Sequence, residues 1–149
     1  PIHDPDARGV LFGLSLRHGR ADIARAALEG IAQGVRLNLD VMREMGVPIE
    51  RIRAVGGGVN NPTWLQAVSD CAARPQEVVT QRGAAYGDAI LAAIGVGALA
   101  RDGVAGWIEV DRRVEPDPAL AELYERQAAR QRRLYDSTKS LMHEVAHEA

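Results

Sequence analysis

Between Arg51 and Trp64 the chain reads Arg-Ile-Arg-Ala-Val-Gly-Gly-Gly-Val-Asn-Asn-Pro-Thr-Trp, a short β-strand that runs into three glycines and then into a helix. Glycine tolerates positive φ and lets a ligand lie close to bare backbone. Asn61 is a good N-cap, and Pro62 suits the first helical position. The N–H groups at the start of such a helix form a ready site for an anion or other ligand. The same segment also reads as a tight turn that packs a helix onto a sheet, so its surroundings decide.

Those surroundings are sparse in aromatic residues. The 149 residues suit one domain of ordinary size, and at 46% apolar but only 4% aromatic the core must be built from Ala, Val, Leu and Ile. A net charge of −2 gives no overall attraction to nucleic acid or to acidic membranes. The single cysteine, Cys71, excludes an internal disulfide and fits a reducing, cytoplasmic setting. The first residues show no apolar run of a signal peptide, and the longest apolar stretch, around Ala89–Ala100, is too short to span a bilayer. Lys139 is the only lysine. No P-loop is therefore present, and no Schiff-base lysine elsewhere.

Along the chain, residues 1–8 form a polar entry. Residues 20–45 carry the helical recurrence of Ile23, Ala27, Ile31, Gly34, Val41 and Met45, with Gly30 and Gly34 on one face to admit a close neighbour. Gly46-Val47-Pro48 stops that helix. A strand at 51–55 precedes the glycines. A second helix over 62–73 carries Trp64, Leu65, Val68 and Ala72 on one side, and a short strand follows at 77–80. The third helix runs from Gly83 to about Leu99 with Asp88 as its only charge, which predicts burial over most of its circumference. Residues 101–118 read as connection, with Trp107 as an anchor onto the body. A long helix over 119–146 ends the chain, with an apolar seam through Leu120, Tyr124, Leu134 and Met142. Helices alternating with short apolar strands indicate an α/β class. Two strands make a poor sheet for three such helices, so the pattern implies that something completing the sheet lies outside these residues. An unpaired edge of that kind would favour a homodimer.

Several residues invite a functional reading beside a plainer one. Asp88 is either a carboxylate facing a cleft or a charge stabilised near a helix N-terminus. Asp4, Asp6 and Arg8 are explained by an Asp-Pro turn with a local Arg pair. Glu29 pairs locally or reaches a neighbouring backbone group, and Cys71, beside Ala72 and Ala73, reads as inert. His143-Glu144-Val145-Ala146-His147 satisfies the zinc-peptidase pattern, two imidazoles on one helix face with a carboxylate beside them. A zinc hydrolase is therefore the alternative enzyme reading, against which stands the lack of the usual downstream third ligand before Ala149. The final helix, with Arg126, Arg130, Arg132 and Arg133, supports a non-catalytic helical interaction module as a third.

Four segments in order resemble the C-terminal part of the FGGY family of carbohydrate kinases, particularly its xylulokinase-like members. They are Asp4-Pro5-Asp6-Ala7-Arg8-Gly9-Val10 with Gly13-Leu14, and Arg25-Ala26-Ala27-Leu28-Glu29-Gly30-Ile31-Ala32. The third is Ile52 through Gly58 with Asn61-Pro62-Thr63-Trp64-Leu65-Gln66 and Ser69-Asp70, and the last is Gly83-Ala84-Ala85-Tyr86-Gly87-Asp88-Ala89. The likeness covers nearly all of residues 1–149 and weakens only in the C-terminal helix. It implies part of an actin/hexokinase-like (ribonuclease H-like) α/β ATPase domain, in an enzyme that moves the γ-phosphoryl of ATP to a sugar hydroxyl with Mg. By the same resemblance Gly56, Gly57, Gly58 and Asn61 contact the adenosine part of ATP or ADP, and the helix from Gly83 closes the pocket from the other side. The family's general base, phosphate-cradling hairpin, Mg ligands and sugar contacts fall before the matching segment. The resemblance therefore implies a missing N-terminal kinase domain as partner, and no activity from these residues alone.

Overall fold

A computed structural model describes residues 3–80 and 83–148; Pro1 and Ile2 of the polar entry lie outside them. Helix α1 (Arg20–Glu44) is bounded by local signals. The Gly19 N–H donates to Asp22 Oδ2 at 2.8 Å, which also sets a carboxylate at the positive end of the helix. At the far end Gly46, at φ +75°, lets the Val47 N–H return to the Met42 carbonyl at 3.0 Å.

Strands β1 (Arg53–Ala54), β2 (Gln76–Val79) and β3 (Val110–Val114) form one sheet in the order β1-β2-β3. β1 and β2 are parallel and joined by helix α2 (Pro62–Ala72), whereas β3 runs antiparallel to β2. The parallel pair needs a crossover, and α2 supplies it. Cross-strand partners Arg53 and Glu77 carry an ion pair at 3.3 Å. β3 corrects the expectation that 101–118 is connection alone: a 3-10 turn over Arg101–Trp107 leads into a five-residue strand. Its sequence, Val-Asp-Arg-Arg-Val, carries three charges in a row because it is an edge strand with only Val114 half-buried.

α2 is the centre of the molecule. One side joins Ala67, Val68 and Cys71 to Ala32 of α1 and to Tyr124 of the long helix α4 (Ala121–Glu148). The other packs Leu65 with Val59 and the fully buried Val78 of the sheet. Covered on both flanks, α2 buries even Ser69 and Asp70. The close approach expected at Gly30 and Gly34 does not occur, since a Cβ at either would meet nothing within 4 Å. Ala32 is the point of contact instead.

Helix α3 (Ala84–Gly95) departs further from expectation. None of its residues is buried, and Leu91 is 68% exposed. An all-apolar surface is buried only where a partner covers it, and packing on α3 by the other described elements is sparse. Trp107 anchors through its backbone: its carbonyl accepts from Tyr86 Oη at 2.5 Å while the residue stays 42% exposed.

Cys71 is fully buried, and burial, reinforced by the nearby Glu29 and Asp70 carboxylates, pushes its thiol up to about 12. We expect iodoacetamide at pH 8 to leave the native protein unmodified and to alkylate one thiol per chain in urea. Alkylation at equal rates with and without urea would show that the α1–α2–α4 core opens readily.

Candidate functional site

The three glycines, alike in the sequence, have three different surroundings. Gly56 sits at φ +83° and ψ −172°, a backbone conformation essentially restricted to glycine. Gly58 lies against Trp64, so that a Cβ there would stand 3.1 Å from the indole Nε1 and 3.3 Å from Cδ1. Gly57 is required by neither cause: its φ is not positive, and a Cβ on it would meet nothing within 4 Å. The turn then winds one 3-10 turn over Gly57–Asn60, driving Val59 into the sheet-side core.

Asn61 is the N-cap of α2. Its Oδ1 accepts from the Trp64 N–H at 3.1 Å, and Pro62 occupies the first helical position as expected. The cap fixes the amide orientation and leaves the Asn61 NH₂ as the group that can donate outward. One of the two Oδ1 lone pairs is taken by the cap, and the other stays open to a ligand. Arg112 Nη2 donates to the Val59 carbonyl at 3.4 Å and brings a cation from β3 near the turn.

Other groups singled out in the sequence lie elsewhere. Asp88 is exposed on α3. Glu29 accepts from Arg25 Nε at 2.7 Å and from Tyr124 Oη at 3.0 Å, a local pair that also docks α4. The Asp-Pro turn is present, with the Asp6 N–H on Asp4 Oδ1 at 3.1 Å, but Arg8 donates to the Pro5 and Ala7 carbonyls rather than to a carboxylate. Asp4 instead reaches α4. Tyr135 Oη donates to it at 2.6 Å and His143 Nε2 lies 2.8 Å away, contacts that hold its carboxyl at about 2 and so ionised. A groove of about 560 Å³ between α1 and α4 is lined by Arg36, Arg43 and Arg132 against Asp40, Glu44 and Glu125. Its charges balance, with Asp40 within 3.6 Å of all three arginines, so it offers no net attraction to an anion.

Comparison with known proteins fixes the family. Residues 1–96 match the FGGY family of carbohydrate kinases, C-terminal domain. The xylulose kinase of Staphylococcus epidermidis is 33% identical over 144 residues, 95% of this chain and 29% of that protein. The crystal structure of xylulose kinase from Rhodospirillum rubrum superposes with a TM-score of 0.81 at 34% identity, covering 94% of this chain and 29% of that one. Plasmodium falciparum glycerol kinase with ADP superposes at 0.71 and 25% identity, covering 89% and 27%. The chain belongs to the FGGY family of carbohydrate kinases and has the α/β, actin/hexokinase-like fold with a long C-terminal helix. It spans less than a third of the length of these relatives.

Proposed function

We propose that residues 1–149 are the C-terminal portion of a sugar kinase's nucleotide-binding domain and supply the adenosine side of its ATP site. The single observation that carries this is Gly57. Turn geometry accounts for Gly56, close packing for Gly58 and helix capping for Asn61, while the bare, open backbone at Gly57 answers to nothing inside the chain. A flat base and ribose laid there would meet peptide backbone without a side chain between, with the Asn61 NH₂ as outward donor and the start of α2 behind. The residues of the turn fit an adenosine; among the lysines, Lys139 is alone and sits on α4.

ATP would supply the phosphoryl group. These residues orient its adenosine end, and α3 flanks the pocket once its apolar surface is covered. Phosphoryl transfer rests on positioning and on charge neutralisation at the γ-phosphate, which this proposal assigns, with the Mg ligands and the general base, to the N-terminal part of the kinase. The substrate is xylulose or a related ketose or polyol, the compartment the cytoplasm, and the 149 residues alone transfer no phosphoryl group.

Calorimetric titration with ADP and with MgATP tests this. We expect saturable binding that Gly57→Val weakens more than about tenfold while the melting temperature holds, because no atom crowds a side chain there. Asn61→Ala should weaken binding and also cost about 1 kcal/mol of stability through the lost cap. Equal affinity in wild type and Gly57→Val would overturn the assignment of the turn. Absence of binding to the folded wild type would show that adenosine is held only with the rest of the kinase present.

A further inference from the structure

The two imidazoles of the His-Glu-x-x-His segment are brought to the opposite end of the chain. His143 Nε2 lies 2.8 and 3.0 Å from the two oxygens of Asp4, and His147 Nε2 lies 3.8 Å from Asp6 Oδ2. One donor atom from each of Asp4, Asp6 and His143 falls within 4.8 Å of the others. The carboxylates come from one turn, Asp4 being 139 residues from His143. The imidazoles come from successive turns of α4, where four-residue spacing places them on one face. Tyr135 holds Asp4 in position, and Asp4 is largely covered while Asp6 and His147 face the solvent side, so the cluster is both built and reachable.

We propose that Asp4, Asp6, His143 and His147 form a zinc site that clasps the start of the chain to α4. Two imidazole nitrogens and two carboxylate oxygens suit Zn²⁺, with ligand distances of about 2.0–2.2 Å in a tetrahedron. Tetrahedral ligands at that radius stand about 3.3–3.5 Å apart, so Asp4, Asp6 and His143, whose donor atoms lie within 4.8 Å of one another, draw in around the ion, and His147, now 3.8 Å from Asp6, turns in as the fourth ligand. Nε2 ligates through its lone pair with the ring proton on Nδ1, and any further proton on the ring leaves to solvent as the metal binds. All four positions are taken by protein. The site is thus structural: no open position remains for a reactive water, and Glu144 is exposed and not among the clustered donors.

The test is titration of the whole chain with zinc chloride in chelator-free buffer, paralleled by cobalt chloride with optical detection. We expect one zinc per chain, a raised melting temperature, and the intense d–d absorption of four-coordinate cobalt. His143→Gln, His147→Gln and Asp6→Asn should each weaken binding more than about tenfold, whereas Glu144→Gln and His18→Gln leave it unchanged. Asp6 is partly exposed, so its variant reports on ligation even if substitution at Asp4 impairs folding. Unchanged affinity in Asp6→Asn and His147→Gln, a weak six-coordinate cobalt spectrum, or loss of binding in Glu144→Gln would each overturn the site.

Discussion

Replacing Tyr124 with alanine is expected to lower the unfolding free energy by about 3–5 kcal/mol. Tyr124 is 2% exposed and is the only fully buried aromatic ring among the described residues. It fills the space between Ala32 of α1 and Ala67, Val68 and Cys71 of α2. Those neighbours are short, and none can swing into the vacated volume, so the cavity should persist largely unrelaxed. The ring also joins three helices, which makes its loss felt beyond its own contacts. Its hydroxyl donates to Glu29 Oε1 at 3.0 Å, and the phenol is pushed up to about 12, first by burial. Tyr124→Phe removes the hydroxyl and its contacts with Glu29 and Arg25 while keeping the ring, and should cost about 1 kcal/mol. Leu141→Ala, on an exposed stretch of the same helix, should cost less than about 1 kcal/mol. Urea denaturation of the four proteins measures the series. Loss of under about 1 kcal/mol in Tyr124→Ala would mean that α4 does not rest on this ring.

What the sequence revealed and what it concealed divides along the range of the determining interaction. The N-cap and first turn of α2 were legible because Asn61 and Pro62 act on backbone groups within three residues. The end of α1 was legible at Gly46 for the same reason. β3 was concealed, since Asp111, Arg112 and Arg113 carry no strand signal and their conformation comes from pairing with β2. α3 misled in the opposite sense: its composition implies a covered surface, and the described residues do not provide the cover. The resemblance located the glycine turn and reached the right family, but three identical letters could not disclose that Gly57 is the open one. No local pattern foretold that Asp4 would meet Tyr135 and His143, because those contacts join the two ends of the chain through the whole fold between them.

Asp70→Leu should destabilise the protein by about 2 kcal/mol, although it replaces a buried polar side chain with an apolar one of similar size. Asp70 is 3% exposed, and its Oδ1 accepts from Gln66 Nε2 at 2.8 Å and from the Asp117 N–H at 2.7 Å. A leucine leaves the part-buried Asp117 N–H, fixed in the backbone, without this acceptor, and in the fully buried limit an unsatisfied donor costs about 1–3 kcal/mol. The effect should spread. Asp117 itself caps the 3-10 turn over Pro118–Leu120 through the Ala119 N–H at 2.9 Å, and that turn leads into α4 with Leu120 on the core. Asp70 is therefore the point at which α2 sets where α4 begins. The neighbouring polar contacts follow the same logic: Ser69 Oγ donates to the Val114 carbonyl and accepts from Gln76 Nε2, both at 2.8 Å, tying α2 to β3 and β2. Asp70→Asn keeps one oxygen for the Asp117 N–H and should cost about 1 kcal/mol, so the ordering wild type, Asn, Leu separates hydrogen-bond loss from packing. If the leucine variant melts with or above wild type, the buried carboxylate is dispensable and apolar packing alone positions α4, as has been found for some buried ion pairs.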